Sequence, residues 1–132
     1  MFARIRRLSF GFLLAATFSS YSSPATLIVD SRGGGDHRQI QEAIDAAREG
    51  DLILVSPGEY PISEPVTFRG KAIAVRAEGG PSSTTIQMLY PPRSWSRGSV
   101  VIFENQEGEA SALEGFTLTG GICTEKGSLV GG

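Results

Sequence analysis

Residues 39–60, QIQEAIDAAREGDLILVSPGEY, join a short amphipathic helix directly to an apolar strand. Asp36 is predicted to cap the start of the helix, with Gln39 completing a capping-box-like pair, and Gly50 to end the helix in a left-handed conformation. The uninterrupted apolar run 52–55 predicts a strand that is covered on both faces. One side of the helix is expected to be buried, and it is formed by Ile40, Ala43, Ile44 and Ala47.

Short apolar runs separated by turn residues such as Pro57 and Gly58 follow this stretch, without a second helical pattern. Runs of this kind, without clear hairpin dipeptides and preceded by one helix, predict an all-β solenoid, a parallel β-helix with an N-terminal amphipathic capping helix. The expected strands are 26–29, 52–55, 66–68, 72–77, 85–88, 100–103 and 113–119. Alternation along these runs predicts the interior residues Ile53, Val55, Ile73, Val75, Ile86, Val101, Phe103, Phe116 and Leu118.

The first 25 residues have the three parts of a secretory signal peptide. Three arginines come first, an apolar run spans 8–18, and the small residues of Ser23-Pro24-Ala25 offer a processing site. The apolar run is well short of the roughly 20 residues that a membrane-spanning helix needs. We therefore expect bacterial export, to the medium or the cell envelope, with residues 1–25 removed as the leader and no membrane span afterwards.

Charge and cysteine content exclude several classes of partner. Three of the 12 basic residues lie in the leader, so nine basic residues stand against 14 acidic ones in the rest of the chain. An acidic chain lacks the basic surface that binds nucleic acid or anionic lipid. Because Cys123 is the only cysteine, no internal disulfide and no cysteine-based metal site can form, and neither a metal nor a cofactor is predicted.

Three segments resemble a known family of folds. The sequences IQEAIDAAREGDLILVSPGEY at 40–60, GKAIAVRAEGGPSSTTI at 70–86 and ALEGFTLTGG at 112–121 are similar to the N-terminal part of secreted pectin lyase-like and pectinesterase-like proteins. This resemblance implies a right-handed parallel β-helix. Residues 26–50 would form its N-terminal strand, loop and cap helix, and residues 51–132 its first coils.

The chain departs from that family at its far end. Family members usually continue for more coils and carry their catalytic residues there. Pectinesterase-like members have a paired-aspartate and arginine site on central coils, and no matching positions are found here. No catalytic residue is therefore assigned, and the chain is expected to be a C-terminally incomplete piece that self-associates through its last coil. The expected function is a non-catalytic structural or carbohydrate-associated module. The alternatives are part of a polysaccharide lyase, esterase or hydrolase whose active site lies on absent coils, or a product with no independent function.

The loop 90–98, YPPRSWSRG, is the most unusual local feature of the chain. Aromatic faces stack on sugar rings, and arginines pair with uronate carboxylates. This composition predicts a polysaccharide contact formed by Tyr90, Arg93, Trp95 and Arg97. The alternative is that Trp95 folds back over an apolar coil and shields it from solvent.

Two further segments carry polar residues whose simplest interpretation is structural. Glu104, Glu107 and Glu109 suit glycosidic cleavage or Ca²⁺ binding, but a solvated turn between coils is favoured. The glycine-rich segment 33–35 precedes a helix, yet it lacks the third glycine of a dinucleotide fingerprint, and Asp36 would face a phosphate with negative charge. His37 is expected to be a surface residue.

Overall fold

The computed structural model of the chain describes residues 23–89 and 99–121. All but the last three residues of the leader predicted over 1–25 therefore lie outside the described residues. No helix within the described ranges is long and apolar enough to cross a membrane. The elements in these ranges are β1 (Thr26–Val29), α1 (Ile40–Ala46), β2 (Leu52–Val55), β3 (Gly58–Ile62), β4 (Val66–Thr67), β5 (Ala74–Ala77), β6 (Thr84–Met88), β7 (Val101–Ile102), β8 (Ala112–Glu114) and β9 (Thr117–Thr119).

The strands form three parallel sheets. The first sheet has the order β1-β2-β5-β8, the second β3-β6-β9 and the third β4-β7. From β2 onwards, consecutive strands enter the first, second and third sheets in turn and then begin again, so each circuit adds one strand to each sheet. This confirms a mostly β chain built from parallel strands with one short helix.

The register stays constant along each sheet although the circuits differ in length. In the first sheet Ala74 pairs with Leu52 on one side and with Ala112 on the other. Leu52 and Ala74 are 22 residues apart in sequence, whereas Ala74 and Ala112 are 38 residues apart. Since side chains alternate along each strand, this register places Ile53, Val75 and Leu113 at equivalent positions of successive strands.

The core confirms most of the interior prediction. Ile53, Val55, Ile73, Val75 and Ile86 are fully buried, as are the four residues of the helical stripe. The remaining predicted interior residues Val101, Phe116 and Leu118 are half-buried against this cluster.

The prediction for Phe103 was wrong, because this side chain is 51% exposed. Phe103 follows the end of β7, and its ring stacks on the buried ring of Phe68, with ring centroids 4.5 Å apart. Within the described residues no further layer covers the other face of the Phe103 ring.

Several boundaries differ from the sequence prediction. The N-cap of α1 is Gln39, without a side-chain hydrogen bond, so Asp36 does not cap the helix. The helix ends at Ala46, and Gly50, with φ of +87°, belongs to the turn that follows. β3 was missed because Pro57 and Gly58 were assigned to a turn, and its Pro61 is tolerated since β3 is the edge strand of the second sheet. Gly115, with φ of +79°, divides the predicted strand 113–119 into β8 and β9.

The outer backbone edge of β1 is occupied by the loop that precedes α1. The Ile28 N–H donates to the Asp36 carboxylate at 2.9 Å, and the Asp36 N–H donates to the Ile28 carbonyl at 2.8 Å. The Asp30 N–H donates to the His37 carbonyl at 2.9 Å. Since free strand edges invite pairing with other chains, this loop takes the place of a neighbouring strand.

Helix α1 covers the same end of the sheets and packs against β1, β2 and β4. The Gln41 amide closes the edge of β4, because its nitrogen donates to the Thr67 carbonyl at 3.1 Å and its oxygen accepts from the Thr67 N–H at 3.0 Å. The Lys71 ammonium holds the last turn of the helix. It donates to the carbonyl oxygens of Ile44, Asp45 and Ala47 at 2.8, 2.9 and 2.8 Å.

Candidate functional site

An open surface depression of about 530 Å³ lies beside the loop that follows β7. The three glutamates of the acidic cluster suggested by the sequence all line it. Its wall is completed by an aromatic ring and small or polar residues. The lining residues are Phe103, Glu104, Gln106, Glu107, Gly108, Glu109 and Ser111.

The Glu107 carboxylate binds two backbone segments beside this depression. It accepts hydrogen bonds from the Asn105 N–H at 3.0 Å and from the Gly70 N–H at 3.3 Å. Partial burial raises the pKa of Glu107, but hydrogen bonds from backbone N–H groups, its own and those of Asn105 and Gly70 among them, outweigh burial and leave the pKa lowered. Glu107 is therefore an ionised structural carboxylate that joins the loop after β4 to the loop after β7.

The rest of the depression is also tied into the fold. The Ser111 hydroxyl donates to the Lys71 carbonyl at 3.0 Å, and Phe103 rests on Phe68. Glu104 and Glu109 are exposed in the loop that leads from the third sheet back to the first, which agrees with a solvated turn. The depression is thus an acidic surface with an aromatic wall, and its carboxylates suit hydroxyl-rich or cationic ligands.

Metal binding has no support in the described part of the chain. Across residues 23–89 and 99–121, no group of three or more His, Cys, Asp or Glu side chains could hold a metal ion. In the glycine-rich loop, backbone N–H groups that could bind an anion already donate within the chain, among them that of Gly33, which donates to the Asp30 carbonyl at 2.9 Å. The Asp30 carboxylate accepts from the Arg32 N–H at 2.9 Å, and this bond is the largest cause that lowers the pKa of Asp30.

A second candidate surface is the C-terminal end of the sheets, formed by β7, β8 and β9. Within the described residues each of these strands pairs with a neighbour on one side only. Leu113 and Leu118 on this end are half-buried, whereas Val75 and Ile86 at the equivalent positions of the preceding strands are fully buried. In the described part of the chain, the C-terminal end therefore presents half-buried apolar side chains together with strand edges that pair with no further strand.

The polysaccharide contact predicted from the sequence falls on residues 90–98. Tyr90, Arg93, Trp95 and Arg97 lie outside the described residues, as does Cys123. His37 is half-buried, and its backbone forms a parallel bridge with Val29.

The geometry shows two surface features, an acidic depression beside residues 103–111 and an apolar C-terminal end, and it assigns no reaction to either. Other proteins offer no guide to their use. No protein family model, curated protein or solved structure matches the chain significantly.

Proposed function

We propose that the chain forms the helix-capped N-terminal coils of an exported, right-handed parallel β-helix protein and serves as a non-catalytic structural module associated with carbohydrate. The repeated order in which strands enter the three parallel sheets supports this fold, because a chain that winds in one direction adds strands in that order. The three segments that resemble pectin lyase-like proteins contain α1 and strands of the first and second sheets, β2, β5, β8, β9 and parts of β3 and β6.

The single observation that carries the structural role is the difference between the two ends of the sheets. At the N-terminal end the loop 30–37 covers the edge of β1, and α1 with the Gln41 amide covers that of β4. The C-terminal end presents strand edges and apolar side chains within the described residues. Such a chain suits a role as the start of a longer stack, which other β structure continues.

The C-terminal end is proposed to bind a second copy of this chain. At the N-terminal end the edges of β1 and β4 are covered, and the edge strand β3 contains Pro61, which lacks an N–H to donate to a new neighbour. Two copies are therefore proposed to meet through their C-terminal ends, and an isologous contact of this kind stops at a dimer. Leu118→Asp should abolish the dimer in sedimentation velocity runs, whereas Thr119→Asp, at the exposed neighbouring position, should preserve it. A wild-type chain that remains monomeric at all concentrations would overturn self-association.

The carbohydrate association is proposed to use the loop 90–98. Polygalacturonate is the probe, since the loop combines aromatic rings with two arginines. The chain should be retarded in a native gel that contains this polymer. Arg93→Ala or Trp95→Ala should restore its mobility, and Arg76→Ala, which removes an exposed positive charge from β5, should not. Equal retardation of all four proteins would argue against a specific contact.

The alternative is a part of a polysaccharide lyase, esterase or hydrolase, and the acidic depression is the feature that favours it. If it is catalytic, the chain should cleave or deacylate a polyuronate, and Glu104→Gln or Glu109→Gln should abolish the activity. We expect no activity from the chain alone. Polyuronate degradation by purified wild-type chain that is lost in either variant would replace the structural proposal with the enzymatic one.

A further inference from the structure

Ala25, the last residue of the predicted leader, is part of the folded structure. Its N–H donates to the Asp51 carboxylate at 2.8 Å, and its carbonyl accepts from the Leu52 N–H at 2.9 Å. The second of these bonds extends the backbone pairing of β1 with β2 by one residue towards the N-terminus, and the first adds a side-chain acceptor to it. The Ala25 side chain is exposed, so the attachment depends on its backbone.

Asp51 is the centre of this attachment. It is 7% exposed, and each carboxylate oxygen accepts one backbone bond, Oδ1 from Ala25 and Oδ2 from the Arg48 N–H at 2.8 Å. These hydrogen bonds, that from Arg48 first and that from Ala25 second, lower the pKa of Asp51. The carboxylate therefore ties the start of β1 to the turn between α1 and β2. Loss of the Ala25 N–H would leave a buried charge without one of its donors.

The sequence offers two positions where small residues stand first and third before a cut, the pattern that leader peptidases recognise. Ser23 and Ala25 define a cut after residue 25, and Ser20 and Ser22 define a cut after residue 22. A cut after Ala25 removes both of its hydrogen bonds. A cut after Ser22 preserves them and leaves the exposed Ser23 and Pro24 ahead of β1.

We propose that the leader is removed at the Ser22–Ser23 peptide bond, which makes Ser23 the first residue of the mature chain. This inference rests on the proposed export. An export-associated peptidase adds one water molecule across the bond, so that Ser22 leaves with a carboxylate and Ser23 gains an amine. Ala25 then keeps its peptide N–H, and Asp51 keeps both donors.

The position of the cut is tested on the full chain expressed in a bacterium, by intact mass of the protein recovered from the cell envelope or the medium. We expect a chain that begins at Ser23. An exported chain that begins at Thr26, or at any residue other than Ser23, would overturn this inference alone. A chain that keeps Met1 would overturn both this inference and the export proposal.

Two matched variants sharpen the result. Ser22→Phe places a bulky residue immediately before the proposed cut and should leave the leader attached. Ala25→Phe keeps the backbone groups that bind Asp51 and Leu52, and should be processed to Ser23 as the wild type is. The opposite pattern, with processing blocked by Ala25→Phe alone, would place the cut after residue 25 and overturn the proposal.

The physical reason for the choice of site is tested separately by the melting temperature of the mature protein. Asp51→Asn replaces a charged acceptor by a neutral amide and should lower the melting temperature by about 5 °C. Glu59→Gln, on the exposed face of β3, is the matched control and should leave it unchanged. An unchanged melting temperature in Asp51→Asn would show that the Asp51 charge does not stabilise the fold, and it would overturn the structural reason given for keeping Ala25 in the mature chain.

Discussion

The two ends of the sheets differ in whether other groups bind the backbone edges of their outermost strands. At the N-terminal end, the backbone groups of β1 and β4 that a neighbouring strand would occupy are bound by the loop 30–37 and by the side chain of Gln41. At the C-terminal end, β7, β8 and β9 have no such substitute within the described residues. Capping a parallel stack thus depends on individual polar side chains at defined backbone positions, and a helix that covers the end is only one part of it.

The burial of the core side chains also differs between the two ends. Buried side chains near the N-terminal end, such as Val29, Ile44 and Ile53, are fully inaccessible. Apolar side chains at the equivalent positions of β8 and β9 are only half-buried. The stability of each layer therefore depends on what lies beyond it, as expected for repeat structures with nearest-neighbour interactions. Substitutions at the N-terminal end should be costly, and comparable ones at the C-terminal end should be tolerated.

The largest effect is expected for Ile44→Asp in the buried face of α1. A carboxylate placed in this apolar contact should detach the helix and lower the free energy of unfolding by about 4 kcal/mol or more. Ala46→Asp, at an exposed position of the same helix, is the matched control and should cost less than about 1 kcal/mol. Urea titrations followed by circular dichroism measure both. Equal stability of the two variants would show that α1 does not seal the end.

The second largest effect is expected for Lys71→Met, which should lower the free energy of unfolding by about 2 kcal/mol. The methionine keeps the apolar stem but removes the three hydrogen bonds that the ammonium donates to the last turn of α1. Hydrogen exchange of α1 amides should accelerate more than that of β6 amides. Unchanged exchange in α1 would contradict the role assigned to Lys71.

Gln41→Met should cost about 1–2 kcal/mol, because it leaves the Thr67 N–H and carbonyl without their partner. Gln87→Met, at an exposed position of β6, is the control and should be close to neutral. Chemical denaturation of the two variants compares an amide that closes a strand edge with one that does not. If both variants unfold at the same urea concentration, the edge of β4 needs no cap.

Phe103→Ser should have a smaller effect, about 1 kcal/mol, because half of this ring is already exposed. Phe68→Ser removes the buried ring beneath it and should cost about 3 kcal/mol or more. Thermal melts of the two variants compare the stability contributed by the half-exposed ring with that contributed by the buried ring. Similar losses for both would mean that Phe103 is covered in solution.

Acid should weaken the N-terminal end through Asp51. Its pKa in the folded chain lies below the ordinary value of 3.8, because the Arg48 and Ala25 N–H groups bind the charged form. The contribution is therefore complete above about pH 4 and declines as the pH falls towards the folded-state pKa. In Asp51→Asn, the stability below about pH 4 should depend less on pH than in the wild type. If the free energy of unfolding of the wild type and of Asp51→Asn fell equally with pH, this role of Asp51 would be contradicted.

The sequence alone was sufficient to predict the strands whose apolar residues form continuous or alternating runs. The bounds of β1 and β2 and the buried face of α1 were predicted as found, because hydrophobic periodicity reports local burial directly. β3 was missed because Gly58 and Pro61 are typical of turns, and only the pairing with β6 explains why they lie in a strand.

The polar groups that close the N-terminal end could not be predicted in this way. Gln41 and Lys71 have the same polarity as any solvated residue, and their partners lie 26 and 27 residues away in sequence. Asp36 was expected to cap the helix, but its carboxylate reaches the Ile28 N–H, a long-range contact that competes with the local one. Side-chain partners across the fold are set by register, which a single sequence does not reveal.

The unequal circuits have a consequence for how such a chain can change over time. Three residues separate β3 from β4, whereas 12 separate β6 from β7, yet β7 lies in register beside β4. This corner of the circuit therefore accommodates connections of different length without a shift in the register of β4 and β7. A gene that encodes such a chain can gain or lose segments there while its core remains unaltered. The same corner is the place where a protein engineer could graft a foreign peptide for display.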